Sequence, residues 1–365
     1  MLNTVTILAC IAVVTALVSY TQDWRRTEQY GITERRYPKW AAWALAIPLI
    51  IWAGTREDIA DTGLYRIGFH AAPDTLGAIP NYLFSEGQDK GYGVFQIAVK
   101  SIIGDRDVLY FLIIAAICVL CVTLTYRKYS CAFGLSMFLF VASADAYQWL
   151  FNGMRQFIPA AVLFAAMGLI LQKRYLAFVV LTLAASTFHL STLLMLPAVF
   201  LVQGRAWNRK TLLFLVAILG ALLFLEQFTD ILETALSNTQ YDDVVAQFEE
   251  DDGTNILRVL VYAVPAGLSL IGKRQIDAYD SPVINLSVNM SILSLGLYIL
   301  SMFTSGIYMG RLPIFFSLYN YILLPWEIEY LFEKKSARLL RVLMVGFYMA
   351  FCYYQMTISW GISLF

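Results

Sequence analysis

The sequence predicts an all-α, polytopic integral membrane protein with about twelve transmembrane helices, each crossing needing about 20 mostly apolar residues. Hydrophobic residues make up 59% of the 365 positions and charged residues only 14%, a balance that soluble domains seldom show. Long apolar runs recur along the whole chain. Within lipid such runs are expected to be helices, because a helix satisfies its backbone hydrogen bonds internally.

The first apolar run is interpreted as a retained helix, because it lacks the basic start and the small-residue cleavage site of a signal peptide. Phe188, His189 and Pro197 interrupt the run 175–203, which we interpret as two short helices or a re-entrant hairpin. With no repeat and no low-complexity linker, residues 1–365 are expected to form a single transmembrane domain. The predicted spans are 3–21, 40–54, 107–126, 132–150, 154–172, 175–189, 190–203, 211–228, 256–272, 283–304, 312–332 and 339–360.

Basic residues indicate on which side of the membrane each connection lies. Lysines and arginines fill alternate connections, which are therefore expected to be cytoplasmic. Both termini and the two long connections, about 55–106 and 229–255, then face outward. Amphipathic pieces within 55–106 predict helices that lie at the membrane surface. We interpret the acidic residues of 229–255 as a solvated cap that keeps this loop outside.

A set of polar residues on the outer face is difficult to explain by packing. Asn152, Arg155 and Gln156 open the fifth predicted span, and their spacing places all three donors on one helix face. We interpret Arg155 as a phosphate clamp, because guanidinium groups bind phosphate oxygens bidentately. The other polar residues of this face are Arg56, Asp58, Asp61, Tyr65, Glu86, Tyr92, Asp145, Tyr147, His189, Arg258 and Arg311.

These residues suit a reaction in which an anionic leaving group departs from a lipid-held substrate. Arginines would stabilise the charge that develops on a departing diphosphate, and a carboxylate or histidine would accept the proton of an attacking hydroxyl. Structural alternatives remain open for each residue. Arg155 could hold Asp145 or helix-end carbonyls, Arg56 and Asp61 could pair as a loop staple, and His189 could cap a helix.

Asp105-Arg106-Asp107 has the DxD spacing that some glycosyltransferases use to hold a metal-bound nucleotide sugar. It stands directly before an apolar helix, where aspartate is the expected N-cap, and we favour that interpretation. The sequence predicts no metal site, no cofactor and no nucleic-acid partner. The net charge is zero.

Taken together, these motifs resemble the EpsG family of bacterial exopolysaccharide polymerases, which is similar in role to the Wzy O-antigen polymerases. The residues that carry the resemblance span most of the chain, and the Asn-x-x-Arg-Gln element followed by a helix-end histidine is the most specific part. The pattern is Arg56, Asp61-Thr62-Gly63-Leu64-Tyr65, Phe69, Gly91-Tyr92, Asn152-Gly153-Met154-Arg155-Gln156, Phe188-His189, Arg311 and Pro325.

The resemblance implies a multi-pass enzyme of the bacterial inner membrane, with a GT-C-related fold and an active site on the periplasmic or outer face. Its substrate would be an undecaprenyl-diphosphate-linked oligosaccharide held in membrane lipid, and a chain-length co-polymerase is an expected partner. Arg155, Arg56 and Arg311 would hold the diphosphates, and Asp61 or His189 would be the base. Asn152, Gln156, Tyr65 and Tyr92 would contact the sugar or phosphate.

Two other functions stay open at this point. One is a GT-C glycosyltransferase that takes a single sugar from a polyprenyl-phosphate donor, which the long outer loop and the DxD keep in consideration. The other is a lipid-linked oligosaccharide flippase, which predicts charges along a path through the whole bilayer. The charges of this chain cluster on the outer face instead.

Overall fold

The computed structural model describes residues 23–29, 32–85, 87–143, 145–236 and 252–359. The first predicted span, Glu86 and most of the acidic outer loop lie outside these residues, and so does the side chain of Asp145. The described chain is helical apart from one β-hairpin, which the all-α prediction did not include. In that hairpin β1 (Asp23–Gln29) pairs antiparallel with β2 (Ile32–Arg36).

The helices of the first half, together with the turns that connect them, carry the residues that line the candidate site. They are α1 (Lys39–Gly54), α2 (Thr62–Ala71), α3 (Ile79–Phe84), α4 (Lys90–Ile103), α5 (Asp107–Tyr129), α6 (Phe133–Ala142), α7 (Asp145–Gln148), α8 (Met154–Ala165), α9 (Met167–Leu171) and α10 (Tyr175–Ser186), with a 3₁₀ turn at Leu76–Ala78.

The second half begins with a 3₁₀ helix at Leu190–Leu194. Its α-helices are α11 (Met195–Leu201), α12 (Arg209–Leu223), α13 (Leu225–Leu236), α14 (Ile256–Ile271), α15 (Lys273–Tyr279), α16 (Pro282–Met302), α17 (Ile314–Ser317), α18 (Asn320–Tyr330) and α19 (Lys334–Tyr353), with a 3₁₀ turn at Met309–Arg311 and a π-helical end at Tyr354–Ser359.

Four helical segments of the described chain are long and apolar enough to cross a membrane. They are Asp107–Tyr129, Met154–Leu171, Pro282–Met302 and Lys334–Ile358. Two bent pairs, α12 with α13 and α14 with α15, raise the number to six if each is one span. These helices agree with a membrane protein, but the predicted count of twelve crossings is not confirmed, and neither is a GT-C type of fold.

The chain forms two compact units, one of residues 1–193 with 328–365 and the other of residues 194–327. In the first unit α5 packs against α1 on one side and α8 on another. Gly54 of α1 allows the closest approach, because a Cβ there would overlap the side chain of Leu112. In the second unit α16 packs between α14 and α12 and is almost wholly buried. Whether the chain is one functional domain stays a prediction.

The run 175–203 is broken where the sequence predicted a break. Helix α10 ends at Ser186, Thr187 to His189 are not helical, and a 3₁₀ helix begins at Leu190. Pro197 is the third residue of α11 and does not end that helix. The interruption at Phe188-His189 is therefore confirmed, and it presents a turn to the candidate site.

Candidate functional site

A cavity of about 270 Å³ lies in the first unit. Its described lining comes from the start of α2, from α3 and α4 with the turn before α4, and from the first turn of α8. The lining residues are Asp61, Leu64, Tyr65, Gly68, Tyr82, Gln88, Asp89, Tyr92, Gln96 and Arg155. Four sequence candidates, Asp61, Tyr65, Tyr92 and Arg155, are thus brought together.

Two glycines let α4 lie close enough to form one wall. A Cβ at Gly93 would overlap the hydroxyl of Tyr82, and a Cβ at Gly91 would overlap the side chain of Thr187. The backbone N–H of Gly91 donates to the carbonyl of Thr187 at 2.9 Å. The Gly-Tyr-Gly sequence therefore positions Tyr92 between α3 and the turn that follows α10.

Arg155 reaches the cavity from the first turn of α8 and pairs there with Asp89. Arg155 Nη1 lies 3.0 Å from Asp89 Oδ2, and the side chains are 45% and 5% exposed. Burial raises the pKa of Asp89, an effect that Arg155 opposes. Arg155 thus meets a largely buried carboxylate inside the cavity while part of its guanidinium remains open to solvent.

Asp61 lines the same cavity from the residue before α2. Although it stands at the N-cap position, its side chain makes no capping hydrogen bond. Because a capping aspartate normally accepts from the first backbone amides of its helix, Asp61 keeps a carboxylate available to a ligand.

Two tyrosines stand between the charged groups. The hydroxyl of Tyr65 interacts by hydrogen bonds with Arg155, and burial raises the pKa of Tyr65. Tyr92 packs edge-on against Tyr65, with ring centroids 6.1 Å apart. The Tyr92 and Tyr110 hydroxyls lie 2.6 Å apart, and burial raises the pKa of Tyr92 well above its ordinary value. Both phenols are therefore neutral hydrogen-bonding groups.

Arg56 lies outside the cavity lining and is only 5% exposed. Its guanidinium donates to the carbonyl of Leu150 and, at 2.7 Å, to the sulfur of Met154. It also lies between two rings, 4.3 Å from the centroid of Phe111 and 5.1 Å from that of Phe151. Burial lowers the pKa of Arg56 to about 10. Arg56 thus holds the turn from which Arg155 projects.

A second polar group connects α8 to the break after α10. Gln156 Nε2 donates to Ser191 Oγ at 3.0 Å, and His189 Nδ1 lies 2.7 Å from the same oxygen. Neither His189 nor Gln156 is among the described residues that line the cavity. Their network lies beside it, because Phe188 contacts the ring of Tyr92 at 6.4 Å between centroids.

The remaining candidates are placed elsewhere. Asn152 precedes α8, and its side-chain oxygen is buried without a hydrogen-bond partner among the described residues. Gly153 follows in a left-handed conformation with φ +84°, so Asn152 and Arg155 do not share a continuous helix face. Arg311 ends a 3₁₀ turn in the second unit.

The cap interpretation of Asp105-Arg106-Asp107 is wrong, because Arg106 occupies the N-cap of α5. Asp105 Oδ1 lies 2.9 Å from His70 Nδ1 and 3.1 Å from Lys100 Nζ. Hydrogen bonds from these two side chains hold the pKa of Asp105 below its usual range. Asp107 is the first residue of α5, and its carboxylate lies 2.7 Å from Arg66 Nε. Within the described ranges, no three His, Cys, Asp or Glu side chains cluster as metal ligands would.

Sequence reasoning missed Asp89 and Ser191. Asp89 has φ 55° and precedes α4, and its partner Arg155 is 66 positions away. No local pattern indicates such a pairing. For Ser191 a weak signal existed, since His-x-Ser beside a helix break places two hydrogen-bonding side chains close together.

Comparison with protein families places the chain. No curated protein and no solved structure matches it. The model of the EpsG family matches residues 39–363, which is most of the chain and includes every residue of the cavity lining. The resemblance carried by the arginine, glycine and histidine motifs is thereby confirmed, and the chain belongs to the EpsG family.

Proposed function

We propose that this chain is a polysaccharide polymerase that moves a growing glycan from undecaprenyl diphosphate onto another lipid-linked repeat unit. Membership of the EpsG family suggests a function of the exopolysaccharide-polymerase kind, and the long apolar helices agree with a lipid-held substrate. The observation that carries the proposal is the cavity that joins a guanidinium and a carboxylate across a wall of tyrosines.

The proposed reaction needs one bond formed and one bond broken at the anomeric carbon. A hydroxyl oxygen of the acceptor unit attacks that carbon, and its proton passes to Asp61. The bond from the anomeric carbon to the diphosphate oxygen breaks, and the electron pair leaves with undecaprenyl diphosphate. Arg155 stabilises the added negative charge, because preorganised donors act most strongly where charge develops.

Asp61 is the proposed base because it lines the cavity and does not cap its helix. His189 is assigned a positioning role through Ser191 and Gln156, since these groups lie beside the lining. Arg56 supports the reaction indirectly by holding the turn before Met154. Arg311 remains a proposed ligand of the second diphosphate, and its place in the second unit neither supports nor opposes this role.

The proposed location is the bacterial inner membrane, with the reaction at its outer face. The alternation of basic connections along the sequence supports this orientation. The loop between α1 and α5, which carries most of the cavity lining, falls on the outward side of that pattern. A lipid-linked acceptor would therefore reach the cavity from the bilayer surface.

The test is polymerisation of a purified lipid-linked repeat unit by the protein in liposomes. Arg155→Ala is expected to abolish glycan ladders, and Arg155→Lys to restore them only in part, because lysine lacks the planar fork. Asp61→Asn is expected to slow ladder growth by about 10²–10⁴-fold, the usual contribution of a general base. Arg106→Ala is the matched control, because Arg106 is an exposed arginine of the loop that carries Asp61 and is not among the described lining residues.

Ladders of normal length from folded Arg155→Ala would refute the role of Arg155. If the unchanged protein made no ladder but extended an acceptor by one sugar from a polyprenyl-phosphate donor, the single-sugar transferase would replace the polymerase. Movement of the intact lipid-linked unit between leaflets without new glycosidic bonds would point to the flippase.

A further inference from the structure

We propose that the cavity binds one uncharged sugar ring of the acceptor unit and disfavours sugars that carry an anionic group. The inference rests on the proposed function, since it assigns the cavity to the acceptor rather than to the diphosphate. It also names residues that select the sugar, chiefly Gln88 and Asp61.

The first argument is the charge of the lining. The described lining residues include two carboxylates, Asp61 and Asp89, and one guanidinium, Arg155. Asp89 already pairs with Arg155 at 3.0 Å, so the charge of Asp61 is left over. Lys90, the first residue of α4, is not among the described lining residues, and its Nζ donates to the carbonyls of Tyr82 and Ser85 at 3.1 and 2.7 Å. An anion that enters the cavity therefore meets the Asp61 carboxylate, whereas the guanidinium of Arg155 is already paired with Asp89.

The second argument is the chemistry of the uncharged lining. Three tyrosines, Tyr65, Tyr82 and Tyr92, supply aromatic surface that suits the C–H face of a sugar ring. Two amides, Gln88 and Gln96, each combine donors with an acceptor, which suits hydroxyl groups. Gln88 is exposed to the cavity, whereas Gln96 also hydrogen-bonds with Tyr110. Neutral donors and acceptors beside aromatic surface favour a polyhydroxylated, uncharged ligand.

The third argument is size. The cavity measures about 270 Å³, just below the roughly 300–1,000 Å³ of pockets that hold drug-sized molecules. It therefore suits a single ring better than a ring with its lipid diphosphate. Arg155, with a side chain 45% exposed, can contact a diphosphate outside the cavity while the acceptor sugar lies beside Asp61.

The experiment compares sugars with their own uronates, so that each pair differs only in a carboxylate. Saturation-transfer NMR on the protein in nanodiscs measures binding of glucose and glucuronate, galactose and galacturonate, and mannose and mannuronate. The neutral member is expected to bind more tightly by roughly tenfold, the effect of one like charge at short range in a partly hydrated site. Inorganic pyrophosphate is the probe for a diphosphate and is expected not to displace the neutral sugar.

Two isosteric variants change the charge of the lining in opposite directions. Asp61→Asn is expected to bring the affinity for the uronate close to that for the neutral sugar. Gln88→Glu is expected to increase the difference between the two affinities. Gln88→Ala is expected to weaken binding of the neutral sugar. Asp74→Asn is the matched control, because Asp74 is an exposed carboxylate of the same loop outside the lining, and this variant should leave every ratio unchanged.

The inference is overturned if no neutral sugar binds, if uronates bind as tightly as their partners, or if pyrophosphate displaces the sugar. It is also overturned if Asp61→Asn leaves the ratio as it was. These failures are separate from failure of the proposed function. Glycan ladders without selective sugar binding would support the polymerase function and refute the neutral-sugar subsite. Selective sugar binding without ladders would support the subsite and count against the polymerase function.

Discussion

Replacement of Gly153 by alanine is expected to destabilise the protein by about 2–5 kcal/mol and to displace Arg155. Gly153 has φ +84° and ψ 37°, a left-handed conformation that costs an L-residue about 1–2 kcal/mol. An added Cβ would also lie 2.9 Å from the ring of Trp149, and overpacking of this kind costs about 1–3 kcal/mol. The two costs add because one arises in the backbone and the other in the packing.

Strain at Gly153→Ala is expected to change the cavity as well, because Gly153 lies only two residues before Arg155. If the chain relieves the strain by turning the start of α8, the guanidinium moves away from Asp89, and ladder formation falls even where the protein stays folded. Unfolding in detergent, followed by intrinsic fluorescence, measures the stability change. Polymerisation in liposomes, at equal amounts of folded protein, measures the displacement.

Two further variants separate the two costs. Gly153→Asn is expected to recover part of the backbone cost, because asparagine tolerates the left-handed region, but to retain the contact with Trp149. Gly77→Ala is the control, since a Cβ there meets nothing within 4 Å and no positive φ is required. Unfolding of Gly153→Ala at the same denaturant concentration as Gly77→Ala would refute this reasoning.

Three other variants test neighbouring features. Gly93→Ala is expected to push Tyr82 from the cavity wall, since the added Cβ would overlap its hydroxyl, and to weaken neutral-sugar binding measured by saturation transfer. Lys100→Met is expected to lower the free energy of unfolding by about 1.5–3 kcal/mol, the magnitude of hydrogen bonds made by a charged group. The reason is that Lys100 Nζ donates to the carbonyls of Phe69, His70 and Ala72 at the end of α2. An unchanged unfolding midpoint would contradict this prediction. Burial raises the pKa of Asp89 above its unfolded value, so stability from its protonated form is present in acid and lost as pH rises through the folded pKa. Asp89→Asn should therefore lack this loss of stability between about pH 4 and pH 7. Melting temperatures of the unchanged protein and of Asp89→Asn across that pH range measure the difference, and the same pH dependence in both proteins would contradict the prediction.

Local patterns predicted the features that depend on neighbouring residues. Phe188-His189 interrupts an apolar run, and the basic connections on both sides of the run predicted a break there. Helix α10 ends just before it, at Ser186. Gly91, beside Tyr92, and Gly153, before Met154, belonged to the quoted motifs. Their reasons, a close contact with Thr187 and a left-handed turn, became visible only with their spatial neighbours.

The features that sequence reasoning did not predict depend on distant partners. Arg56 was expected to pair with Asp61 or bind phosphate, but it lies between two phenylalanines and donates to a carbonyl 94 positions away. The sequence offered Asp145 as a partner for Arg155, but the carboxylate that Arg155 contacts is that of Asp89. The charge and spacing of an arginine do not indicate which distant carboxylate it will meet, because the packing of whole helices decides this.

The backbone contact between Gly91 and Thr187 has a consequence for how this protein could be re-engineered. The N–H of Gly91 donates to the carbonyl of Thr187, so one contact between α4 and the turn after α10 is made by main-chain atoms alone. Leu64, Tyr65 and Gly68 line the cavity from the short helix α2. Under the proposed function, substitutions at these three lining positions should alter which glycan is accepted while the hydrogen bond between Gly91 and Thr187 is retained.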